Sequence, residues 1–428
     1  MESHSRRSFI KSSATLLSAV GAGVSPMPAA SDKVNIGFIG MGMRGNQLVH
    51  YFKALPEANI VAVADLYDGR LENAQKTIDN KIQTTKDYRV VLDRKDIDAV
   101  IVATPDHWHA QIVLDAISAG KDIYIEKPMT WSVEEGYQIM NAMKNSNRIL
   151  QVGSGRKGLP RTAKAKEIVK SGVLGKINLV RYSDFRNSKG GAWGYSIPPD
   201  ASTKTVDWDR FLGSAPKIPW SPERFFRWRC WWEYSGGIPT DLFVHQLTAL
   251  HEILDVKLPK SVVSHGGIYR WNDGRTVPDV MVSLFEYPGD FLLEMCVDLG
   301  SSKGHIQARG EAIMGSEATL LLGGPDGDIV LYRDAGLKAK AKEPLPTPED
   351  MEVVKEPSDP AWPTHQQSFL RSIKQRTPSV EDAEVGHNAA TACHMANYAF
   401  RNNCKAGIDP QTGKLIALET GFGRGTGG

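Results

Sequence analysis

The chain is poor in several features that would mark it for a particular class. Its 428 residues include only four cysteines, Cys230, Cys296, Cys393 and Cys404. No C-x-x-C pair or zinc-like spacing joins them, which argues against a disulfide scaffold or a cysteine-built metal site. Four unpaired, mostly buried thiols are expected. The formal net charge is only +2, too small to draw the chain to nucleic acid or an anionic membrane. Beyond the N-terminus no stretch reaches the roughly 18 uncharged apolar residues that a bilayer span needs. Internal repeats are absent, which excludes a solenoid. What remains is an ordinary globular composition, 41% hydrophobic and 23% charged, over a length that predicts two or three domains.

The first residues are distinctive. Ser5-Arg6-Arg7-Ser8-Phe9-Ile10-Lys11 precedes a short apolar run through Leu16, Leu17 and Val20, the pattern of a twin-arginine export signal. Residues 1–32 are therefore expected to be a signal and leader, although no clean A-x-A precedes Ser31. The twin-arginine translocase is the expected partner and the periplasm the expected location. Such cargo folds before it crosses, so a nucleotide cofactor would be taken up in the cytoplasm and retained.

Val34 to Ile39 reads as a buried parallel strand running into Gly40-Met41-Gly42-Met43-Arg44-Gly45 and then a helix, the context a dinucleotide fingerprint requires. A second strand, Ile60 to Ala64, ends at Asp65, 20 residues past Gly45. A carboxylate there can bind ribose hydroxyls and repel a 2′-phosphate, favouring NAD over NADP, with Arg44 and Arg70 softening that preference. Further strands at 99–103, 122–125 and 149–152 alternate with helices at 112–119 and 134–144. This is the pattern of a doubly wound Rossmann sheet over residues 33–154. Residues 155–420 read differently. Strands at 178–185, 261–269, 280–287, 291–297 and 306–314, with few helices between them, predict an α+β domain on an open, mainly antiparallel sheet. A surface loop over 338–360, helices near 365–374 and 385–401 and a flexible tail over 421–428 complete the expected layout.

Two loops leave carboxyl ends of strands, where ligands bind in such sheets. One is Thr104-Pro105-Asp106-His107-Trp108-His109 and the other is Glu126-Lys127-Pro128. His107 and His109 have no evident third partner, so no metal is assigned. Thr104 and Pro105 are expected beside the nicotinamide, with His109 capping the next helix. Together with Gly236-Gly237-Ile238-Pro239-Thr240-Asp241-Leu242-Phe243-Val244-His245, these motifs resemble the glucose–fructose oxidoreductase / inositol dehydrogenase (Gfo/Idh/MocA) family, with Ser235 in place of a leading glycine. The resemblance implies a substrate lying between the two domains over the nicotinamide, and a homodimer or homotetramer.

Pro239 suits the first turn of a helix, so Asp241 and His245 are expected on one face. An acid and an imidazole so placed can bind a sugar hydroxyl and move its proton. His245 is the candidate base, Asp241 the group that orients it or grips a neighbouring hydroxyl, and Lys127 the stabiliser of a developing alkoxide. A helix-dipole aspartate beside a core histidine is the structural alternative. Of the aromatic crowd from Trp220 to Tyr234, one or two members are expected to touch substrate and the rest to form core or contacts. Trp193, Trp228 and Arg156 complete the expected substrate contacts, with Arg156 and Lys157 equally readable as solvated. The reading is a sugar, glycoside or cyclitol oxidoreductase. The alternatives are redox-assisted glycoside cleavage through a transient keto-sugar, and a non-catalytic sugar-binding protein.

Overall fold

The computed structural model describes residues 33–187, 191–301, 310–323, 329–333, 351–354 and 361–419. The twin-arginine leader, the tail over 421–428 and most of the 338–360 loop lie outside them. Among the described residues no helix is long and apolar enough to cross a membrane.

Six parallel strands form the first sheet: β1 (Val34–Ile39), β2 (Ala58–Ala64), β3 (Gln83–Thr85), β4 (Ala99–Val102), β5 (Asp122–Ile125) and β6 (Leu150–Val152), in the order β3-β2-β1-β4-β5-β6. β4 and β5 are buried at every residue, as strands covered on both faces must be. The connecting helices are α1 (Met43–Lys53), α2 (Asp68–Thr77), α3 (Tyr88–Asp93), α4 (His109–Ser118) and α5 (Val133–Lys144). A capping box between Ser132 and Glu135 starts α5. The order reverses between β1 and β4, and their carboxyl ends open a crevice there.

After α6 (Pro160–Lys170) the chain enters a ten-stranded sheet. Its strands are β7 (Ile177–Phe185), β8 (Ser261–Gly267), β9 (Val280–Tyr287), β10 (Phe291–Asp298), β11 (Gly310–Gly315), β12 (Ala318–Leu322), β13 (Ile329–Arg333), β14 (Met351–Val354), β15 (Lys405–Ile408) and β16 (Leu415–Leu418). Neighbours run antiparallel except β7 and β10, which are parallel. Burial alternates along β9 and β10, so one face meets the core while Val263, Val282, Leu284 and Leu292 stay exposed on the other. The helices of this half are α7 (Trp208–Leu212), α8 (Pro222–Phe226), α9 (Val244–Leu254), α10 (Ala361–Gln375) and α11 (Ala383–Asn402). α11 packs against α5 of the first half and against β8 and α9 of the second.

The structure corrects several sequence expectations. Met351–Val354 is a strand paired with β13, inside the segment expected to be loop. Of the strand expected at 306–314, residues 306–309 lie outside the described residues and the remainder falls in β11. The helix expected to start at Ile112 starts at His109. Asp241 lies in a π-helical turn, Pro239–Phe243, and the α-helix begins only at Val244.

Candidate active site

The glycine turn closes the crevice floor by contact. A Cβ on Gly40, whose φ is +94°, would lie 2.6 Å from the Ala103 carbonyl oxygen. One on Gly45 would lie 2.1 Å from the Gly40 oxygen, so only glycine lets α1 sit this close to the strand ends. At Gly42 the nearest atom would be Arg70 at 4.0 Å, leaving the backbone open to the crevice. Gly42 caps α1 without any side-chain bond. The open amides and positive helix end suit a pyrophosphate. Together with the buried, unpartnered Oγ1 of Thr104, they fit a nicotinamide dinucleotide.

The crevice, about 500 Å³, is lined by Gly40, Gly42, Met43, Arg44, Asp65, Arg70, Thr104, Pro105 and Trp228 among others. Asp65 Oδ2 accepts the Met41 N–H at 2.6 Å and Oδ1 accepts the Tyr67 N–H at 3.0 Å. The carboxylate thus fixes the glycine turn to the end of β2 while bordering the crevice. Arg70 stands 3.5 Å from Asp65, its guanidinium 5.2 and 5.4 Å from the ring centroids of Phe225 and Phe226.

His109 does not cap α4. It is the first residue of that helix, with Trp108 at the cap position, and its ring is buried. Nδ1 lies 2.7 Å from the Pro128 oxygen and Nε2 3.0 Å from the Thr104 oxygen, tying the two ligand loops together. His107 Nε2 lies 2.8 Å from the Phe211 oxygen. Burial pushes both imidazoles down to about 4, so they are neutral near pH 7.

A second cavity, about 360 Å³, shares Arg44, Ala103, Thr104, Trp228 and Arg229 with the crevice and adds Asp106, Glu126, Lys127, Arg156 and His245. Lys127 donates to Asp241 twice, to the backbone oxygen and to Oδ1, both at 2.7 Å. Arg229 Nε reaches the same Oδ1 at 3.2 Å, and Trp193 Nε1 donates to Oδ2 at 2.8 Å. Burial alone would raise the Asp241 carboxyl; Lys127, Arg229 and the Lys127 and Trp193 hydrogen bonds outweigh it and hold the group well below the usual carboxylate range.

Of the two roles expected of Asp241, orienting His245 falls instead to a backbone oxygen. The His245 Nδ1 lies 3.0 Å from the Ser154 carbonyl oxygen, while the Asp241 oxygens are taken by Lys127, Arg229 and Trp193. A carbonyl oxygen only accepts, so Nδ1 carries the proton and Nε2 offers a lone pair. Burial, then Lys127 and Arg156, hold the ring well below its ordinary value. The result is a neutral imidazole on the cavity wall, ready to accept a proton.

With that geometry in view, the chain can be set beside known proteins. Residues 34–154 match the family model described as an oxidoreductase family with an NAD-binding Rossmann fold, Gfo/Idh/MocA. This segment matches the family's nucleotide-binding domain. A glycosyl hydrolase family 109 protein of Shewanella baltica is 31% identical over 205 residues, covering 40% of this chain and 44% of that protein. The uncharacterised oxidoreductase YrbE of Bacillus subtilis is 33% identical over 146 residues, 34% of this chain and 42% of that one. The chain thus spans less than half the length of these curated relatives. Among solved structures, levoglucosan dehydrogenase with NADH and levoglucosan superposes with a TM-score of 0.63 at 18% identity, covering 87% of this chain and 98% of that one. The WlbA dehydrogenase of Bordetella pertussis with NADH and UDP-GlcNAcA gives 0.65 at 15%, covering 88% and 99%. At such identities the likeness is one of fold.

The matched domain supplies Lys127 and both ligand loops; Asp241, His245, Trp193, Trp228 and Arg229 come from the second half. Trp228 lines both cavities, Phe225 and Phe226 border the crevice alone, and Trp231 and Tyr234 are buried in the core. Lys157 pairs with Glu252 at 3.2 Å rather than facing a ligand. Three functional positions were not singled out from sequence. Arg229 stacks 4.3 Å from the Trp228 ring centroid while holding Asp241, and its signal was hidden in an aromatic loop. Glu381 accepts from the backbone N–H groups of Ser154, Gly155, Arg156 and Lys157, more than 220 residues away in sequence. Asp106 accepts from the Gly236 N–H at 3.3 Å and the Thr240 hydroxyl at 3.4 Å, and burial pushes it up to about 7 against Arg229 and Lys127. It lies within a quoted loop, but its reach to the π-turn was not legible.

Proposed function

We propose that the chain is an exported NAD-dependent oxidoreductase that moves a hydride between a retained nicotinamide and a hydroxyl or keto group of a sugar, glycoside or cyclitol. The observation that carries the reading is the wall shared by the NAD crevice and the cavity lined by Lys127 and His245, with Asp241 bonded to Lys127 behind it. A nicotinamide in the crevice supplies the hydride acceptor or donor. His245 Nε2 takes the hydroxyl proton as the carbinol carbon is oxidised. The Lys127 ammonium, fixed by Asp241, stabilises the negative charge that builds on that oxygen. Trp228 provides an apolar wall for the face of a sugar ring. The ligands of levoglucosan dehydrogenase and of WlbA support a sugar-like substrate. The Arg6-Arg7 pattern supports export, and Asp65 at the crevice edge supports NAD over NADP.

The first test is to denature the purified, exported protein and identify released nucleotide by mass spectrometry. Stoichiometric NAD(H) is expected. NADP(H) overturns the reading of Asp65, and an empty folded protein overturns cofactor retention. Incubation with glycosides then separates two chemistries: a keto-sugar with reduced cofactor supports the dehydrogenase, whereas free sugar with no net reduction supports redox-assisted cleavage.

A further inference from the structure

The wall of the second cavity carries more positive than negative charge. Arg44, Lys127, Arg156 and Arg229 line it. Glu126 matches Arg44 at 2.7 Å. Lys127 and Arg229 share a single carboxylate, Asp241, at 2.7 and 3.2 Å. Burial pushes Asp106 up to about 7, so near neutrality it supplies only part of a charge. Two full anions therefore face four cations.

Arg156 is the cation left over. Among the described residues its guanidinium has no hydrogen-bond or ion-pair partner, although it borders the cavity beside His245. The carboxylates near it are committed elsewhere. Glu381, fully buried, accepts from four consecutive backbone N–H groups, 154 to 157, at 2.8–3.2 Å and from the Ser154 hydroxyl at 2.7 Å. Glu311 stands 3.9 Å from Arg161, and burial pushes it up to about 7. Glu381 thus fixes the Arg156 backbone while its side chain is left for the cavity. Such a guanidinium keeps its affinity for an anion that arrives with the ligand.

We propose that the substrate carries a carboxylate, bound by the Arg156 guanidinium while a ring hydroxyl faces His245. The ligand class is an acidic sugar, such as a uronate. A guanidinium offers two parallel N–H donors that match one carboxylate, and a cavity of about 360 Å³ is sized for one small ligand. The inference rests on the oxidoreductase reading only for which hydroxyl reacts. The binding of the acid stands apart from it.

The test is calorimetric titration of the NAD-loaded full chain with glucuronate against glucose, galacturonate against galactose, and glucose 6-phosphate. At least one acid is expected to bind at least about tenfold more tightly than its neutral partner. Arg156→Gln should abolish that preference, while Arg156→Lys keeps an intermediate preference. In turnover the loss should fall on KM rather than kcat. Neutral sugars binding as well as the acids, tighter binding of the phosphate, no binding of either acid, or an undiminished preference in Arg156→Gln each overturns the inference. Arg156-dependent binding without any reduction of NAD sinks the oxidoreductase reading alone. Reduction of NAD by neutral sugars only sinks the carboxylate assignment alone.

Discussion

With two oxygens Asp241 serves an ammonium, a guanidinium and an indole N–H. Removing its charge leaves Lys127 and Arg229 side by side without an anion, and leaving such half-buried partners unsatisfied costs about 1–3 kcal/mol. Asp241→Asn is expected to lower stability by about that much in denaturant unfolding. His245→Asn should leave the unfolding midpoint nearly unchanged, since the ring makes one bond to a backbone oxygen. Its turnover should nonetheless fall about 100- to 10,000-fold. Equal losses of stability in the two variants would contradict this division of labour. Asp241, His245 and Lys127 were legible because each sits in a short motif. Arg229 was not, because its part depends on a fold that returns it across the Lys127 loop.

Among the elements, the loop after β6 is held by a side chain rather than by its own turn. Glu381 takes four backbone N–H groups and a hydroxyl, and the carbonyl of Ser154 in that loop positions His245. Glu381→Ala leaves those donors unpaired, a loss of about 1–3 kcal/mol or more. It is expected to lower the melting temperature and to reduce kcat together, whereas Glu381→Gln should restore part of both. A melting temperature unmoved by Glu381→Ala would refute this account. The strands of the first sheet were legible because parallel strands buried on both faces read as apolar runs. β7, β9 and β10 showed in runs rich in β-branched and aromatic residues. β15 and β16 have four residues each, too few to show a period, and they are strands because they pair with each other and β15 with β8. Within the π-turn Asp241 is bonded to Lys127 and Thr240 to Asp106, contacts no local pattern announces.

At the scale of the molecule, titration has two opposed sets. His107, His109, His245, His251, His387 and His394 are all pushed down by burial. Unfolded, each takes a proton below about 6.5, so these groups withdraw stability as the pH falls from there. Asp106 and Glu311 are pushed up to about 7. Unfolded, they ionise near pH 4, so their contribution grows as the pH falls from about 7. Six groups outweigh two on the acid side. The melting temperature is expected to drop steeply from about pH 7 toward pH 5 and to change little between pH 7 and 8. Asp106→Asn should turn that flat stretch into a slight rise toward pH 8. A peak below pH 5.5 would refute the assignment.

The loop cap by Glu381 is one of several stitches from the far end of the chain into the first sheet. Gln151 donates to the His365 oxygen, Arg376 pairs with Asp122, and Ser379 donates to the Leu150 oxygen. The first sheet is thus sealed by residues more than 200 positions further along the chain. A nascent chain paused before residue 365 would hold an incomplete nucleotide fold, with β6 uncapped and the loop that aims His245 unsupported. Every strand of the first sheet lies before residue 153, yet β6 and the loop beyond it are secured by residues 365–381.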